Sequence, residues 1–226
     1  MVSAIIVAAG KSERMGGGVD KAFLSLGSRP VLAYSLRVME QCTDVDEVIL
    51  VVRKDQIIAA NGLVQLFGCK KVAKVVAGGA TRQASVSNGL AACGYESTIV
   101  CVHDGARPCV TPELISETIK SAKLKGSGVA ATKVTDTVKT ADKNQVAVQT
   151  IDREKLWTTQ TPQTFKIAIL RKALAKAEAD NAKHTDEASA LEALGEPAHL
   201  VQTPFHNIKI TTPEDIKIAS LLLGIQ

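Results

Sequence analysis

The sequence is poor in the features that mark proteins binding nucleic acids or membranes. Aromatic residues make up only 3% of its 226 residues, too few for the platforms on which single-stranded nucleic acids stack. Its 27 basic and 23 acidic residues leave a net charge of +4, and no run of like charges forms a tail for a polyanion. No apolar stretch approaches the roughly 20 residues of a membrane-spanning helix. We therefore predict neither a nucleic-acid partner nor a membrane partner.

Patterns typical of disulfides and zinc sites are also missing. The cysteines are odd in number, and no two are spaced as C-x-x-C: Cys42, Cys69, Cys93, Cys101 and Cys109. The first apolar run has no basic segment ahead of it, so it does not resemble a signal peptide. Together these features favour reduced thiols and a cytoplasmic location.

Apolar, strand-like segments alternate with helix-like segments along most of the chain. Strands are predicted near 4–8, 48–52, 71–76, 99–102 and 128–133, the first two of them buried. With helices between them, they predict an α/β protein: a single domain, residues 1–226, around a mostly parallel, Rossmann-like, doubly wound sheet. Thr111-Pro112-Glu113 predicts the start of a helix, because threonine can cap it and proline suits its first turn. Later strand-like segments are predicted near 198–202 and 207–210, and later helices near 166–180, 185–194 and 213–223.

The stretch from 134 to 163 breaks this alternation, because it is polar, rich in threonine and short of helix signals. Two alternating strands around Asp142-Lys143-Asn144 predict a protruding β-hairpin arm. An isolated hairpin is barely stable in water, so the arm must pack on something. A second subunit and the arm's own domain are both open at this point.

The end of the first strand suits the approach of a ligand. Ala8-Ala9-Gly10 leaves the backbone bare, and the cations Arg14 and Lys21 follow. Open α/β sheets bind ligands at the carboxyl ends of their strands, so this turn indicates a polyphosphate site. A strand-to-helix turn with solvated cations is the competing interpretation. Position 5 is Ile where a P-loop needs glycine, and the G-x-G-x-x-G fingerprint is absent.

Two later strand ends also carry candidate binding groups. Gly78-Gly79 precedes a helix that contains Ser85, and paired glycines let backbone N–H groups face an anionic or planar group, although plain loops contain them too. Asp104 directly follows an apolar strand, and carboxylate oxygen is the ligand that Mg²⁺ prefers. Arg107 either neutralises a phosphate or forms an ion pair with Asp104. We expect His103 in the core or behind the site.

Two motifs lie near the end of the chain. Asn207-Ile208-Lys209-Ile210 places one lysine in an apolar segment, which indicates a functional role or the edge of a sheet. Thr185-Asp186-Glu187 predicts the cap of a helix, followed by acids in its first turn.

In this order, the motifs resemble a known family. Ala-Ala-Gly-x-x-x-Arg-Met from Ala8, followed by Lys21, is similar to the start of the nucleotidyltransferase superfamily. The segments that begin at His103, Thr185 and Asn207 closely resemble the 2-C-methyl-D-erythritol 4-phosphate cytidylyltransferase family. The resemblance covers nearly the whole chain. It implies transfer of a cytidylyl group from CTP to methylerythritol phosphate, with Mg²⁺ and with release of pyrophosphate.

The resemblance also implies individual roles. The cytidine would be held by Ala8, Ala9, Gly10, Gly79 and Ser85, and the substrate-binding set would further include Arg107, Thr161 and Thr185. Arg14 and Lys21 would stabilise the transition state. Asp104 would hold Mg²⁺ and the ribose or α-phosphate region, while Lys209 and Arg153 would position the acceptor phosphate. In a homodimer, Thr137 and Arg153 would reach the site of the neighbouring subunit.

The nearest alternative is a cytidylyltransferase for ribitol 5-phosphate or another sugar-alcohol phosphate. The sequence contexts of Arg153, Thr185 and Lys209 favour methylerythritol phosphate. The chain departs from the family's usual residues beside Lys21, where Asp20 and Ala22 replace Pro and Gln. These two departures change the residues on both sides of Lys21, and with them the geometry expected of its loop.

Overall fold

A computed structural model describes residues 1–10, 22–203 and 207–225, so Arg14 and Lys21 lie outside the described residues. The strands in chain order are β1 (Val2–Ala8), β2 (Ser25–Leu26), β3 (Arg29–Pro30), β4 (Glu47–Val52), β5 (Val72–Ala77), β6 (Ile99–Asp104), β7 (Ser127–Lys133), β8 (Val138–Ala141), β9 (Ala147–Ile151), β10 (Trp157–Lys166) and β11 (Leu200–Gln202). The helices are α1 (Val31–Gln41), α2 (Ile57–Leu66), α3 (Arg82–Ala92), α4 (Pro112–Lys125), α5 (Ile167–Ala179), α6 (Glu187–Leu194) and α7 (Pro213–Leu222).

The central sheet is mostly parallel, as predicted. In the described part of the chain it has seven strands, in the order β11-β7-β10-β6-β1-β4-β5. All of these strands run in one direction except β10, which lies antiparallel to both β6 and β7. The α/β fold class predicted from the alternation of strands and helices is therefore confirmed.

Helices cover both faces of this sheet, and the pleat of β1 explains how. Side chains alternate across a strand, so Ala4 and Ile6 enter one core with residues of α1, α2 and α4. Ile5 enters the opposite core with residues of α3, α5 and α6. Both faces of β1 are therefore dry, which is why its sequence is a continuous apolar run rather than an alternating one.

The helix α4 shows how local sequence sets an element's ends. Thr111 precedes the helix and accepts a hydrogen bond from Leu114 N at 3.3 Å, and Pro112 occupies the first turn. Gly126 ends the helix with a left-handed backbone at φ +94°, which glycine adopts without a steric penalty. The predicted start at Thr111-Pro112-Glu113 is confirmed.

The hairpin arm exists, but the predicted range 134–163 is wrong at its C-terminal end. The strands β8 and β9 form a separate antiparallel pair, whereas Trp157–Lys166 is β10 of the central sheet. The polarity of this segment was misleading because its buried polar groups have partners. Thr164 Oγ1 donates to Thr118 Oγ1 at 2.9 Å, and Gln163 Oε1 accepts from Ala188 N at 3.0 Å.

Two further local predictions are wrong. Residues 207–210 form no strand. Ile210 N donates to Ala106 O, but Ala106 lies in a turn after β6, so no further strand hydrogen bonds continue from this contact. Helix α6 begins at Glu187, two residues later than the predicted start at Thr185. Asp186 is its N-cap and accepts from Ser189 N at 2.9 Å, in a capping box completed by the Ser189 hydroxyl.

The structure also describes the state of the cysteine thiols and the lengths of the helices. All five cysteines are free and buried. Among the helices that the structure describes, none combines the length and the apolar character needed to cross a bilayer.

Gly128 of β7 provides a test of the packing between the sheet and α4. An added Cβ at this position would lie 2.2 Å from Thr118 O, so the backbone itself would have to move. We expect Gly128→Ala to lower the free energy of unfolding by about 1–3 kcal/mol. Urea unfolding measures the change.

The matched control is Gly62→Ala, in the exposed part of α2. Among the described atoms, an added Cβ there meets nothing within 4 Å. Alanine is the better helix former, so we expect this variant to gain about 0.5–1 kcal/mol. A loss of stability at Gly62 equal to that at Gly128 would contradict the packing.

Candidate active site

The three predicted strand ends meet at one edge of the sheet. The strand β1 pairs with β6, and Val7 lies opposite Asp104 in the register. Beyond β5, Gly78 packs so closely on the turn after β1 that an added Cβ would lie 2.4 Å from Ala9 Cβ. Gly105 packs on Ala8, since a Cβ added at Gly105 would lie 3.2 Å from Ala8 Cβ. The structure thus brings together the alanine turn, the glycine loop and the Asp104 turn, while Gly10 is exposed beside them.

Ser85 gives the glycine loop its shape. Its Oγ accepts from Gly79 N at 3.1 Å and donates to Thr81 O at 2.9 Å. Thr81 in turn caps α3 by accepting from Ala84 N at 3.0 Å. Position 79 needs glycine, since an added Cβ would lie 2.5 Å from Ala84 Cβ. Ser85 is buried, and its hydroxyl is committed to the loop; its contact with cytidine stays a prediction.

Asp104 lies between two cations at the end of β6. Its Oδ1 is 3.1 Å from Arg82 Nη2, and its Oδ2 forms an ion pair with Lys209 Nζ. Burial by itself would raise the pKa of Asp104, but the charges of Arg82 and Lys209 outweigh this effect and hold the pKa well below its ordinary value. Asp104 is therefore ionised at neutral pH. Lys209, predicted from the sequence, does join the site, although in this structure it contacts a carboxylate.

Sequence reasoning missed two members of this cluster, Arg82 and Glu187. Glu187 is only 2% exposed, and its carboxylate accepts from Arg82 Nη1 at 2.6 Å and Nη2 at 3.0 Å. The sequence offered a signal, because Arg82 follows the glycine loop and Glu187 belongs to the Thr185-Asp186-Glu187 motif. An acid in the first turn of a helix is usually solvated, however, and the pairing joins positions 105 residues apart.

Arg107 is not the ion-pair partner of Asp104 in the part of the chain that the structure describes. Its Nη1 donates to Asn207 O at 2.8 Å, and burial lowers the pKa of its guanidinium. Its Nε is buried with no hydrogen-bond partner among the described groups. Of the two roles left open for Arg107, the ion pair with Asp104 is not formed, and Asp104 pairs with Arg82 and Lys209 instead.

A buried hydrogen-bond chain supports Asp104 from behind. Asp104 N donates to Thr161 Oγ1 at 3.0 Å, and Thr161 Oγ1 lies 3.2 Å from His103 Nδ1. His103 Nε2 lies 3.3 Å from Arg107 O. A neutral imidazole with its proton on Nε2 satisfies every member of this chain. The predicted placing of His103 in the core is confirmed, and Thr161 has a supporting contact beside its predicted contact with substrate.

Among the predicted site residues that the structure describes, three side chains are exposed and take no part in the ion pairs around Asp104. Thr137, Arg153 and Thr185 are exposed, and Arg153 Nη1 donates to Thr135 O at 2.7 Å, at the base of the arm. Within one chain, the described hydrogen bonds of Arg153 therefore stay on the arm.

The buried His103 predicts a pH dependence of stability. Burial lowers its pKa to about 4, from 6.5 when exposed, so between these values the unfolded chain binds the extra proton. Stability therefore falls as pH falls, and this residue accounts for about 2 kcal/mol of the loss between pH 7 and pH 5. Urea unfolding at pH 5, 6 and 7 should show a shallower dependence for His103→Gln. Parallel curves for the two chains would contradict a buried neutral imidazole.

Comparison with known proteins agrees with this geometry. The family model of 2-C-methyl-D-erythritol 4-phosphate cytidylyltransferase matches residues 2–224. A relative of that name from Dehalococcoides mccartyi is 43% identical over 225 residues, which cover 98% of this chain and 96% of the relative. Another, from Alkaliphilus oremlandii, is 39% identical over 222 residues, or 98% of this chain and 94% of the relative.

Solved structures give the same result. The crystal structure of 4-diphosphocytidyl-2C-methyl-D-erythritol synthase from Anaerococcus prevotii has a TM-score of 0.85 and 33% identity to this chain. The match covers 99% of this chain and 98% of that one. Because these matches extend over nearly the whole chain, the chain belongs to the 2-C-methyl-D-erythritol 4-phosphate cytidylyltransferase family.

Proposed function

We propose that this protein transfers the cytidylyl group of CTP to the phosphate of 2-C-methyl-D-erythritol 4-phosphate. The products are 4-diphosphocytidyl-2-C-methyl-D-erythritol and pyrophosphate, in non-mevalonate isoprenoid biosynthesis. Membership of the family over residues 2–224 supports the proposal. The structural observation that carries it is the ionised Asp104, held between Arg82 and Lys209 beside the Gly78-Gly79 loop.

The chemistry needs positioned charge more than a proton acceptor. An oxygen of the acceptor phosphate attacks the α-phosphorus of CTP, and the bond from that phosphorus to the bridging oxygen breaks as pyrophosphate leaves. The attacking oxygen is already anionic near neutral pH, so no general base is required. Negative charge grows on the leaving group, and fixed cations stabilise it. We assign Arg14 and Lys21 to this role by their motif.

The described residues supply the remaining parts of the site. The bare backbone of Ala8-Ala9-Gly10 and Gly79 would hold the cytidine, with Ser85 keeping the glycine loop in shape. Lys209 would bind the acceptor phosphate. The Lys209 side chain is 33% exposed and pairs with Asp104 at the site. Because it is not packed in the core, its ammonium group can turn from Asp104 to an incoming phosphate.

Asp104 would also hold Mg²⁺ together with the phosphates of CTP. The described residues contain no group of three or more His, Cys, Asp or Glu side chains arranged for a metal. A single carboxylate suits Mg²⁺, which is usually bound by one or two carboxylates, with waters and substrate phosphates completing its shell. When bound, the ion would offset the charge of the triphosphate, and Lys209 would give up its contact with Oδ2 of Asp104.

The arm would complete the site across a homodimer. Val146 and Val148 are 60% and 70% exposed on the arm, and β8 and β9 pair with each other rather than with the central sheet. Exposed valines on a two-stranded hairpin favour a second subunit as the surface that covers them. Arg153 and Thr137 are exposed on the same arm, where they would reach the partner's site.

A cytoplasmic location belongs to the same proposal. The five free, buried thiols suit a reducing compartment. CTP and a phosphorylated sugar alcohol are substrates of the cell interior.

The substrate is tested by following pyrophosphate release with CTP and Mg²⁺. We expect rapid release with methylerythritol phosphate and at least about 100-fold lower kcat/KM with ribitol 5-phosphate, because a site built for one polyol rejects another through unpaired polar groups. ATP, GTP and UTP in place of CTP serve as controls. A reversed preference would assign the protein to ribitol 5-phosphate, and inactivity with every pair would refute the enzyme.

The shared site is tested with mixed dimers. Asp104→Asn and Arg153→Ala chains, each inactive alone, are coexpressed with different tags and purified through both tags. If Arg153 acts on the partner's site, each mixed dimer contains one intact site and recovers about half of the wild-type turnover. Mixed dimers without activity would show that the arm serves its own chain. A protein that elutes as a monomer would refute the dimer.

A further inference from the structure

Glu187 is a buried carboxylate with no part in the proposed chemistry. Both of its oxygens accept from the guanidinium of Arg82, at 2.6 and 3.0 Å, and the residue is 2% exposed. A side chain this enclosed does not reach CTP or the acceptor. Any effect of Glu187 on the reaction therefore passes through Arg82.

Arg82 is anchored by Glu187 and presents a fixed edge to Asp104. Its Nε donates to Asp104 Oδ1 at 3.2 Å, and its Nη2 lies 3.1 Å from the same oxygen. The other oxygen of Asp104, Oδ2, accepts from Lys209 Nζ, which has no second acceptor among the described residues. One oxygen of Asp104 is thus held by a planar guanidinium that Glu187 anchors through two hydrogen bonds, and the other by the flexible side chain of Lys209.

We infer that Glu187 is a positioning residue: through Arg82 it fixes Oδ1 of Asp104 and keeps Oδ2 as the oxygen that exchanges Lys209 for the divalent cation of the nucleotide. This inference rests on the proposed function. Without Glu187, the planar fork of Arg82 is free to bind both oxygens of Asp104, the arrangement that guanidinium and carboxylate prefer. Oδ2 would then no longer be open to the metal.

The expected signature is a change in metal dependence rather than in maximal rate. In Glu187→Gln, the Mg²⁺ concentration for half-maximal activity should rise about tenfold, as is typical when a residue behind a metal ligand is changed. At saturating Mg²⁺ and CTP, kcat should stay within about threefold of wild type, since Glu187 touches no reacting atom. Calorimetric titration of CTP with Mg²⁺, without the acceptor, should show the same weakening of affinity in the absence of turnover.

A double-mutant cycle tests whether the effect passes through Arg82. We compare Glu187→Gln, Arg82→Ala and the double variant in the calorimetric titration. If Glu187 acts through Arg82, its substitution changes the affinity in the wild-type background and leaves it unchanged in the Arg82→Ala background. The control is Ser189→Ala, which removes a capping contact from the same helix without touching Arg82. It should lower the melting temperature and keep the Mg²⁺ dependence of wild type.

Each outcome decides the inference. Equal losses of affinity from Glu187→Gln in both backgrounds, or a lower melting temperature with unchanged Mg²⁺ dependence, would make Glu187 a structural residue only. If Glu187→Gln does not fold, Glu187→Asp keeps the charge but shortens the bidentate reach; an unchanged Mg²⁺ dependence there would overturn the inference. Wild-type protein that neither binds CTP with Mg²⁺ nor releases pyrophosphate would refute the proposed function, and the inference with it.

Discussion

The ionised Asp104 is the group on which the rest of the site depends. A carboxylate this buried is costly unless cations compensate it, and Arg82 does so at Oδ1 and Lys209 at Oδ2. Removing one partner from such a buried cluster typically costs roughly 3–5 kcal/mol, because the remaining charge is stranded. The cluster therefore ties β6, α3 and the segment around Lys209 to one another, and Glu187 adds α6 to them.

The sheet makes this arrangement possible by ending several strands at the same edge. Dry cores on both faces hold β1 and β6 in place, so the turns that follow them have little freedom. The glycine loop after β5 closes on Ala9 and is held by Ser85. Backbone groups and charges are thereby positioned before any ligand binds. Phosphoryl transfer depends mainly on such positioning and on electrostatic stabilisation of the transition state.

Sequence reasoning succeeded where one segment carries its own signal. Continuous apolar runs identified β1, β4 and β6, and Thr111 with Pro112 identified the start of α4. It failed where polarity suggested solvent, as in β10, whose Thr164 and Gln163 are buried and hydrogen-bonded. It also failed at Asn207–Ile210, where apolar residues lie in the core without forming a strand, since their backbone meets a turn.

The sequence by itself determined the α/β alternation, the three strand-end motifs and the resemblance to a cytidylyltransferase family, because each depends on residues that are neighbours along the chain. Only the tertiary structure decided which charges pair: Arg82, not Arg107, binds Asp104, and Glu187 lies behind Arg82. Such pairs join positions about a hundred residues apart, and several cations were equally available in the sequence. The choice among them is made by the packing of helices on the sheet, which brings one guanidinium within reach and turns another toward Asn207.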